Sequence, residues 1–144
     1  MAELKAIIFD YYETLVELVT PTRERAFDEL ARSVGVELQP GEAYRQWRNL
    51  SLTDTEARFG GAERRLLDGD PPPFVSFAEA WERRFGELFE RWGVDAHPSV
   101  GVEVQHRMHA NGLAYPEAPA ALEALGSRYR LAVFSDADQG FLEG

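Results

Sequence analysis

The feature that most constrains the fold of this chain is a short apolar run near its start that ends abruptly in a carboxylate. Residues Ala6 to Phe9 are continuously apolar, and Asp10 follows them directly, ahead of polar, turn-prone residues. Such a run is typical of a buried parallel strand that is covered on both faces. Ligands of parallel sheets bind just beyond the carboxyl ends of the strands, where Asp10 could act as a nucleophile, a base or a metal ligand. Alternatively, Asp10 only caps a following helix.

A second stretch near the other end of the chain has the same form. Residues 129–134 are predicted to form a buried strand, and Ser135 and Asp136 follow it. Helical patterns occupy most of the sequence between the two strands, and a further helix, residues 118–128, precedes the second strand. This order of elements predicts an α/β fold with a parallel strand pair.

Together the two stretches resemble motifs one and two of the haloacid-dehalogenase (HAD) superfamily of aspartyl-nucleophile hydrolases. In that family the first strand ends in Asp, any residue, Asp or Tyr, and usually Gly-Thr-Leu, and the second strand ends in Ser or Thr. The resemblance implies that Asp10 is the nucleophile, that Thr14 is a substrate-binding turn residue of motif one, and that Ser135 holds the charged group of the substrate. The segment Ala114 to Leu125 is similar to the family's usual approach to motif two.

The resemblance also implies the domain organisation. We expect a Rossmann-like HAD core, incomplete here with two parallel strands, and an inserted α-helical cap. The partial core should comprise residues 1–16 and 115–144, and the cap should comprise residues 17–114. Within the insert, capping and breaking residues predict helices that start at Thr20-Pro21, after Pro40-Gly41, at Ser76 and near Ser99.

The residue two positions after the nucleophile bears on the reaction. Phosphatases of the superfamily normally carry Asp there as general acid and base, whereas this chain has Tyr12. Tyr12 resembles the 2-haloacid dehalogenase branch, whose halide leaving group needs no proton. In those enzymes a cap arginine holds the halide or the carboxylate of the substrate, and Arg48, which follows Trp47, resembles that arginine. Alternatively, Arg48 is a surface residue whose stem packs on the neighbouring aromatic ring, which is a common arrangement.

Two positions depart from the dehalogenase pattern. Glu13 replaces the usual glycine, and Asp136 follows Ser135 where dehalogenases usually have Asn. Asp136 remains a candidate substrate-binding residue. A dehalogenase needs no cofactor, whereas the runner-up, a phosphatase, implies Mg²⁺ with Asp10 as a ligand. Glu103, His106 and His109 recur at every third position, but this spacing favours solvated side chains over a metal site.

Composition narrows the alternatives. The 144 residues are 44% hydrophobic, which suffices for a globular, soluble protein. The net charge of −10 disfavours nucleic acid and anionic membrane surfaces as partners. The absence of cysteine excludes disulfides and thiolate chemistry, and no apolar stretch approaches the roughly 18 residues of a membrane helix. We therefore expect a cytoplasmic protein that binds a small anionic molecule.

Two motifs of the family are absent from these 144 residues. The family continues after motif two with strands that supply a lysine and an acidic metal motif. The 144 residues alone are therefore expected to be weak or inactive unless a longer protein, a second chain or a swapped partner completes the core.

The sequence also leaves a second class of function open. In this alternative the chain is a non-enzymatic helical module whose aromatic stripe binds a partner. The stripe consists of Phe77, Trp81, Phe85, Leu88, Phe89 and Trp92, and its spacing is more typical of core packing.

Overall fold

The computed structural model describes residues 4–50 and 75–135. It contains two compact units, one formed by Met1–Arg23 with Arg107–Gly144 and one by Glu24–His106. The described elements, in chain order, are β1 (Ala6–Phe9), β2 (Val16–Glu17), α1 (Thr20–Ser33), α2 (Glu42–Asn49), α3 (Phe77–Trp92), α4 (Ser99–Ala110), β3 (Leu113–Ala114), α5 (Ala118–Gly126) and β4 (Arg130–Val133). Within these ranges, no helix combines the length and apolar character needed to cross a bilayer.

The first unit contains the predicted parallel strand pair. β1 and β4 pair from Ala6 opposite Arg130 to Phe9 opposite Val133. The pairing continues past the strands, because the amide of Phe134 donates to the carbonyl of Phe9 at 2.8 Å. The carboxyl ends of both strands therefore lie side by side, as the two motifs require.

One face of this sheet is open. Solvent exposure alternates from residue to residue along β1, and α5 packs against β4. The side chains of Ile8 and Phe134 are large and apolar, but these residues are 68% and 76% exposed. The prediction that β1 is covered on both faces is therefore wrong for the part of the chain that the structure describes. The apolar run of β1 is consistent with a central strand, but the described elements cover it from one side only.

A second, very short sheet within the first unit joins the segment that precedes α1 to the segment that follows α4. β2 and β3 are antiparallel, with Val16 opposite Ala114 and Glu17 opposite Leu113. Val16 is buried, and a Cβ atom added to Gly112 would lie 2.4 Å from its Cγ1 atom. Glycine is thus required at position 112 for this close approach. The sequence did not predict this pair of strands.

The second unit is held together by aromatic side chains. Trp81, Phe85, Leu88 and Phe89 of α3 are buried, which confirms the prediction that the stripe is core and argues against its use as a docking surface. The ring of Phe27 from α1 lies 5.2 Å from that of Trp47 and 5.8 Å from that of Phe85. The predicted capping box of Ser76 and Glu79 starts α3. Gly60-Gly61 and the run from Pro71 to Pro73 predict interruptions of helical structure, but they fall in the segment 51–74, which lies outside the described residues.

Arg84 of α3 fastens the end of α2. Its Nη2 atom donates to the carbonyls of Trp47 at 2.9 Å and Leu50 at 3.0 Å, and its guanidinium carbon lies 4.1 Å from the centre of the Trp47 ring. The last carbonyls of a helix lack partners within the helix, so a cation that satisfies them stabilises both the carbonyls and the helix dipole.

Arg84→Met is expected to lower the free energy of unfolding by about 2 kcal/mol, because the side chain keeps its volume but loses two charge-assisted hydrogen bonds. Urea unfolding measures the change. Arg83→Met is the matched control, because Arg83 is exposed on the same helix and its replacement should have an effect of about 0.5 kcal/mol or less. Equal effects of the two variants would contradict this account of Arg84.

Candidate functional site

The end of the parallel sheet brings Asp10 and Ser135 to the same edge. Each follows one of the paired strands, Asp10 directly after β1 and Ser135 two residues after β4. Asp10 is exposed and Ser135 is half-buried. The amide of Tyr11 donates to Oδ1 of Asp10 at 2.7 Å, which fixes the orientation of the carboxylate at the strand end. Asp10 and Ser135 thus follow the ends of two neighbouring parallel strands, and their shared role in a site remains a prediction.

A tight turn follows Asp10. The carbonyl of Tyr11 accepts from the amides of Leu15 at 2.8 Å, Val16 at 3.1 Å and Thr14 at 3.4 Å. Thr14 is exposed on this turn. Three amides that converge on one carbonyl bend the chain back at once, so the residues after Asp10 stay close to the strand end.

Glu13 lies in this turn with φ 60°, in the left-handed region. A non-glycine residue in this region costs roughly 1–2 kcal/mol because its Cβ crowds the backbone carbonyl. The glycine that the HAD motif usually carries at this position would adopt the conformation without strain. Glu13 therefore differs from the family motif at a position whose backbone conformation suits glycine.

Tyr12 is enclosed by two other rings. Its ring centre lies 4.9 Å from that of Tyr11 and 4.9 Å from that of His109, and both contacts are edge-on. Burial raises the pKa of Tyr12, and the neighbouring Tyr11 raises it further. Tyr12 is therefore a protonated, neutral group at neutral pH, unlike the aspartate that a phosphatase carries at this position.

His109 is the residue near the site that the sequence did not indicate. It was predicted to be a solvated side chain of the series Glu103, His106 and His109, but it is half-buried and packs on Tyr12. His106 is exposed and belongs to the second unit. The contact depends on where the β2–β3 pair places the end of α4, and helical periodicity alone contains no such information.

Arg48 belongs to the second unit. It is exposed on α2, with its guanidinium carbon 6.0 Å from the centre of the Tyr44 ring. This is a surface position with the side chain over an aromatic neighbour, so the contact of Arg48 with a substrate remains a prediction. Asp136, the other predicted substrate-binding residue, lies outside the described residues.

The described residues do not by themselves fit a magnesium site. No group of three or more His, Asp or Glu side chains in residues 4–50 and 75–135 could hold a metal ion. Of the described residues that follow β1 and β4, Asp10 is the carboxylate at the strand ends, and the second residue after it is a neutral tyrosine and not a further acid. Because Mg²⁺ is held by several oxygen ligands, a site here would need ligands from outside the described residues.

The described structure has the fold of HAD-superfamily hydrolases. It is similar to YfnB from Bacillus subtilis, described as a HAD-hydrolase and solved bound to magnesium, with 15% identity and a TM-score of 0.66 over 99% of this chain and 58% of that chain. The L-2-haloacid dehalogenase PA0810 is 19% identical, with a TM-score of 0.64 over 98% of this chain and 56% of that one. The L-2-haloacid dehalogenase from Xanthobacter autotrophicus is 20% identical, with a TM-score of 0.62 over 98% and 50% of the two chains.

These comparisons establish the fold alone, because the identities are low. The chain spans a little over half the length of YfnB and of PA0810. No protein-family model matches the sequence, and no curated protein matches it.

Proposed function

We propose that this chain is part of a HAD-type hydrolase in which Asp10 attacks a small anionic substrate, with a 2-haloacid as the favoured class. The observation that carries the proposal is the pair of neighbouring strand ends, which Asp10 and Ser135 follow, with the neutral Tyr12 two residues beyond Asp10. A fold hosts many activities, so these side chains, and not the fold, support the activity.

The chemistry follows from the nature of the leaving group. A carboxylate oxygen of Asp10 displaces halide from the carbon that bears it, the halide leaves with the bonding electrons, and an ester of Asp10 forms. Water then adds to the ester carbonyl, which returns the carboxylate and releases a hydroxy acid and a proton. Halide departs without protonation, so a neutral Tyr12 can replace the acid of the phosphatases.

The remaining predicted residues receive roles as part of the same proposal. The hydroxyl groups of Ser135 and Thr14 would donate to the carboxylate of the substrate, and Arg48 would hold that carboxylate or the departing halide, because a guanidinium suits either anion. Residues 1–16 and 115–144 would form the catalytic core and residues 17–114 the cap, whereas the compact units divide at Arg23 and Arg107. The exposed Ile8 and Phe134 support the expectation that further polypeptide, from the same or a second chain, completes the core.

A magnesium-dependent phosphatase is the second candidate. It is supported by YfnB, whose structure was solved bound to magnesium. In that case Asp10 would be both nucleophile and metal ligand. Tyr12 disfavours this candidate, because a phosphate ester has a leaving alcohol that needs a proton.

One experiment separates the two candidates. The chain is incubated at high concentration with 2-chloropropanoate, or with an aryl phosphate with and without Mg²⁺, in water enriched in oxygen-18. Because these residues alone are expected to be weakly active, we expect slow chloride release. It should be accompanied by a gain of heavy oxygen in the peptide that contains Asp10, because water cleaves the Asp10 ester at its carbonyl carbon. Magnesium-dependent phosphate release would favour the phosphatase. No release of either ion and no label in Asp10 would contradict an aspartyl-nucleophile reaction in this chain.

A further inference from the structure

Glu13 joins three separate segments of the first unit through its side chain. Its carboxylate oxygen Oε1 accepts a hydrogen bond from Nη2 of Arg23 in α1, and the two residues form an ion pair. The same carboxylate also acts on the side chain of Tyr115, just beyond β3, and raises the pKa of its hydroxyl group. Glu13 itself belongs to the turn that follows Asp10.

Backbone hydrogen bonds also link these segments. The amide of Tyr115 donates to the carbonyl of Leu15 at 3.0 Å, and the amide of Glu13 donates to the carbonyl of Val16 at 2.6 Å. The turn is therefore held at its base by the backbone and at its tip by the side chain of Glu13. The Arg23 side chain is only 23% exposed, which limits the screening of its charge.

The conformation of Glu13 indicates that its side chain has a role in this turn. Glycine would fit φ 60° without strain, but glycine offers no carboxylate for Arg23 and Tyr115. We propose that Glu13 is a positioning residue, which ties the turn to α1 and to the segment after β3 and thereby holds Tyr12 against His109 beside Asp10. The catalytic part of this inference rests on the proposed function.

Tyr115 provides a spectroscopic signal for this tie. Loss of solvation is the largest cause that raises the pKa of Tyr115, and the carboxylates of Glu13, Glu17 and Glu117 and the hydrogen bond to Glu13 raise it further. Because the pKa is raised in the folded state, Tyr115 contributes stability below its ordinary value of 10.0, and this contribution is lost as the pH rises through the folded pKa. Removal of the Glu13 charge should therefore shift the ionisation of Tyr115 to lower pH.

His109 provides a signal for the position of Tyr12. Its ring lies edge-on to the Tyr12 ring, so the aromatic ring of Tyr12 displaces the NMR resonances of the His109 ring protons. A change in the turn that moves Tyr12 will change these resonances even where the protein stays folded and whether or not it turns over a substrate.

The test compares Glu13→Gln and Glu13→Gly with Glu17→Gln, which removes a nearby exposed carboxylate that also acts on Tyr115 through its charge. Tyrosinate absorbance, assigned with Tyr115→Phe, follows the first signal, and proton NMR of His109 follows the second. We expect both Glu13 variants to lower the pKa of Tyr115 by more than Glu17→Gln does. We expect only the Glu13 variants to move the His109 resonances.

Activity supplies a third readout. The rate at which Asp10 gains heavy oxygen from water should fall about tenfold or more in Glu13→Gly at saturating 2-chloropropanoate, because small displacements near the reacting group are costly. Unchanged His109 resonances in both Glu13 variants would overturn the inference. If Asp10 of the unmodified chain gains label, an unchanged labelling rate in Glu13→Gly would overturn it as well. Absence of label in the unmodified chain would instead count against the proposed function, and the NMR comparison would still decide whether Glu13 positions Tyr12.

Discussion

Asp10→Asn is expected to lower halide release, and the labelling of residue 10 by heavy oxygen, by about 10³-fold or more, because a carboxamide is not a competent nucleophile for this displacement. Stability should change little. The amide of Tyr11 can donate to the side-chain oxygen of Asn as it does to Oδ1 of Asp10, and the side chain is exposed. Chloride assay, mass spectrometry of the peptide and urea unfolding measure the three quantities.

Asp95→Asn is the control for this substitution. Asp95 is exposed in the loop after α3 and belongs to the second unit, so the same chemical change there should leave turnover unaltered. Turnover of Asp10→Asn within about tenfold of the unmodified chain would contradict the assignment of Asp10 as nucleophile. A large loss of stability in Asp10→Asn would instead indicate that the charge of the carboxylate is mainly structural.

Gly101→Ala is expected to lower the free energy of unfolding by about 3 kcal/mol, which is a large effect for the addition of one methyl group. A Cβ atom at position 101 would lie 2.2 Å from both Cγ and Cδ1 of Phe85. The Phe85 ring is fully buried and stacks on Phe27 and Trp47, so it cannot move aside without displacing the aromatic core of the second unit. Urea or thermal unfolding measures the loss.

Gly86→Ala is the matched control and should have the opposite sign. Gly86 lies inside α3, and an added Cβ would make an ordinary contact of 3.5 Å with Cγ of Pro98. Alanine is favoured over glycine within a helix, so this variant should gain up to about 1 kcal/mol. Destabilisation of both variants by similar amounts would show that the close contact with Phe85 is not the cause.

Much of the fold could be predicted because its signals are local. The capping box of Ser76 and Glu79 starts α3 as predicted, and the aromatic stripe of that helix is buried in the core. The strands that end near Asp10 and Ser135 pair in parallel, as the order of elements required. Each of these predictions needs only the periodicity, the caps or the chain order, all of which can be read within a short window of sequence.

The parts that the sequence did not predict depend on contacts between distant segments. β2 and β3 have two residues each, too few to show an alternating pattern, and they exist because they pair with one another. The contact of His109 with Tyr12 joins two segments that are far apart in the chain. The ion pair of Glu13 with Arg23 bridges the turn after Asp10 and the start of α1, which no periodicity predicts. The left-handed conformation of Glu13 was equally hidden, since few non-glycine residues adopt it.

The pairing of β2 with β3 makes the inserted polypeptide a separable cassette. Glu17 and Leu113 lie opposite each other, so the chain departs and returns through neighbouring strands roughly 5 Å apart. Another segment whose ends are as close could bridge that gap without stretching the strands that present Asp10 and Ser135, provided that it keeps Arg23 for Glu13 and His109 for Tyr12. The middle of the cassette is thereby freed to diversify in length and sequence, while its two ends stay constrained by the site.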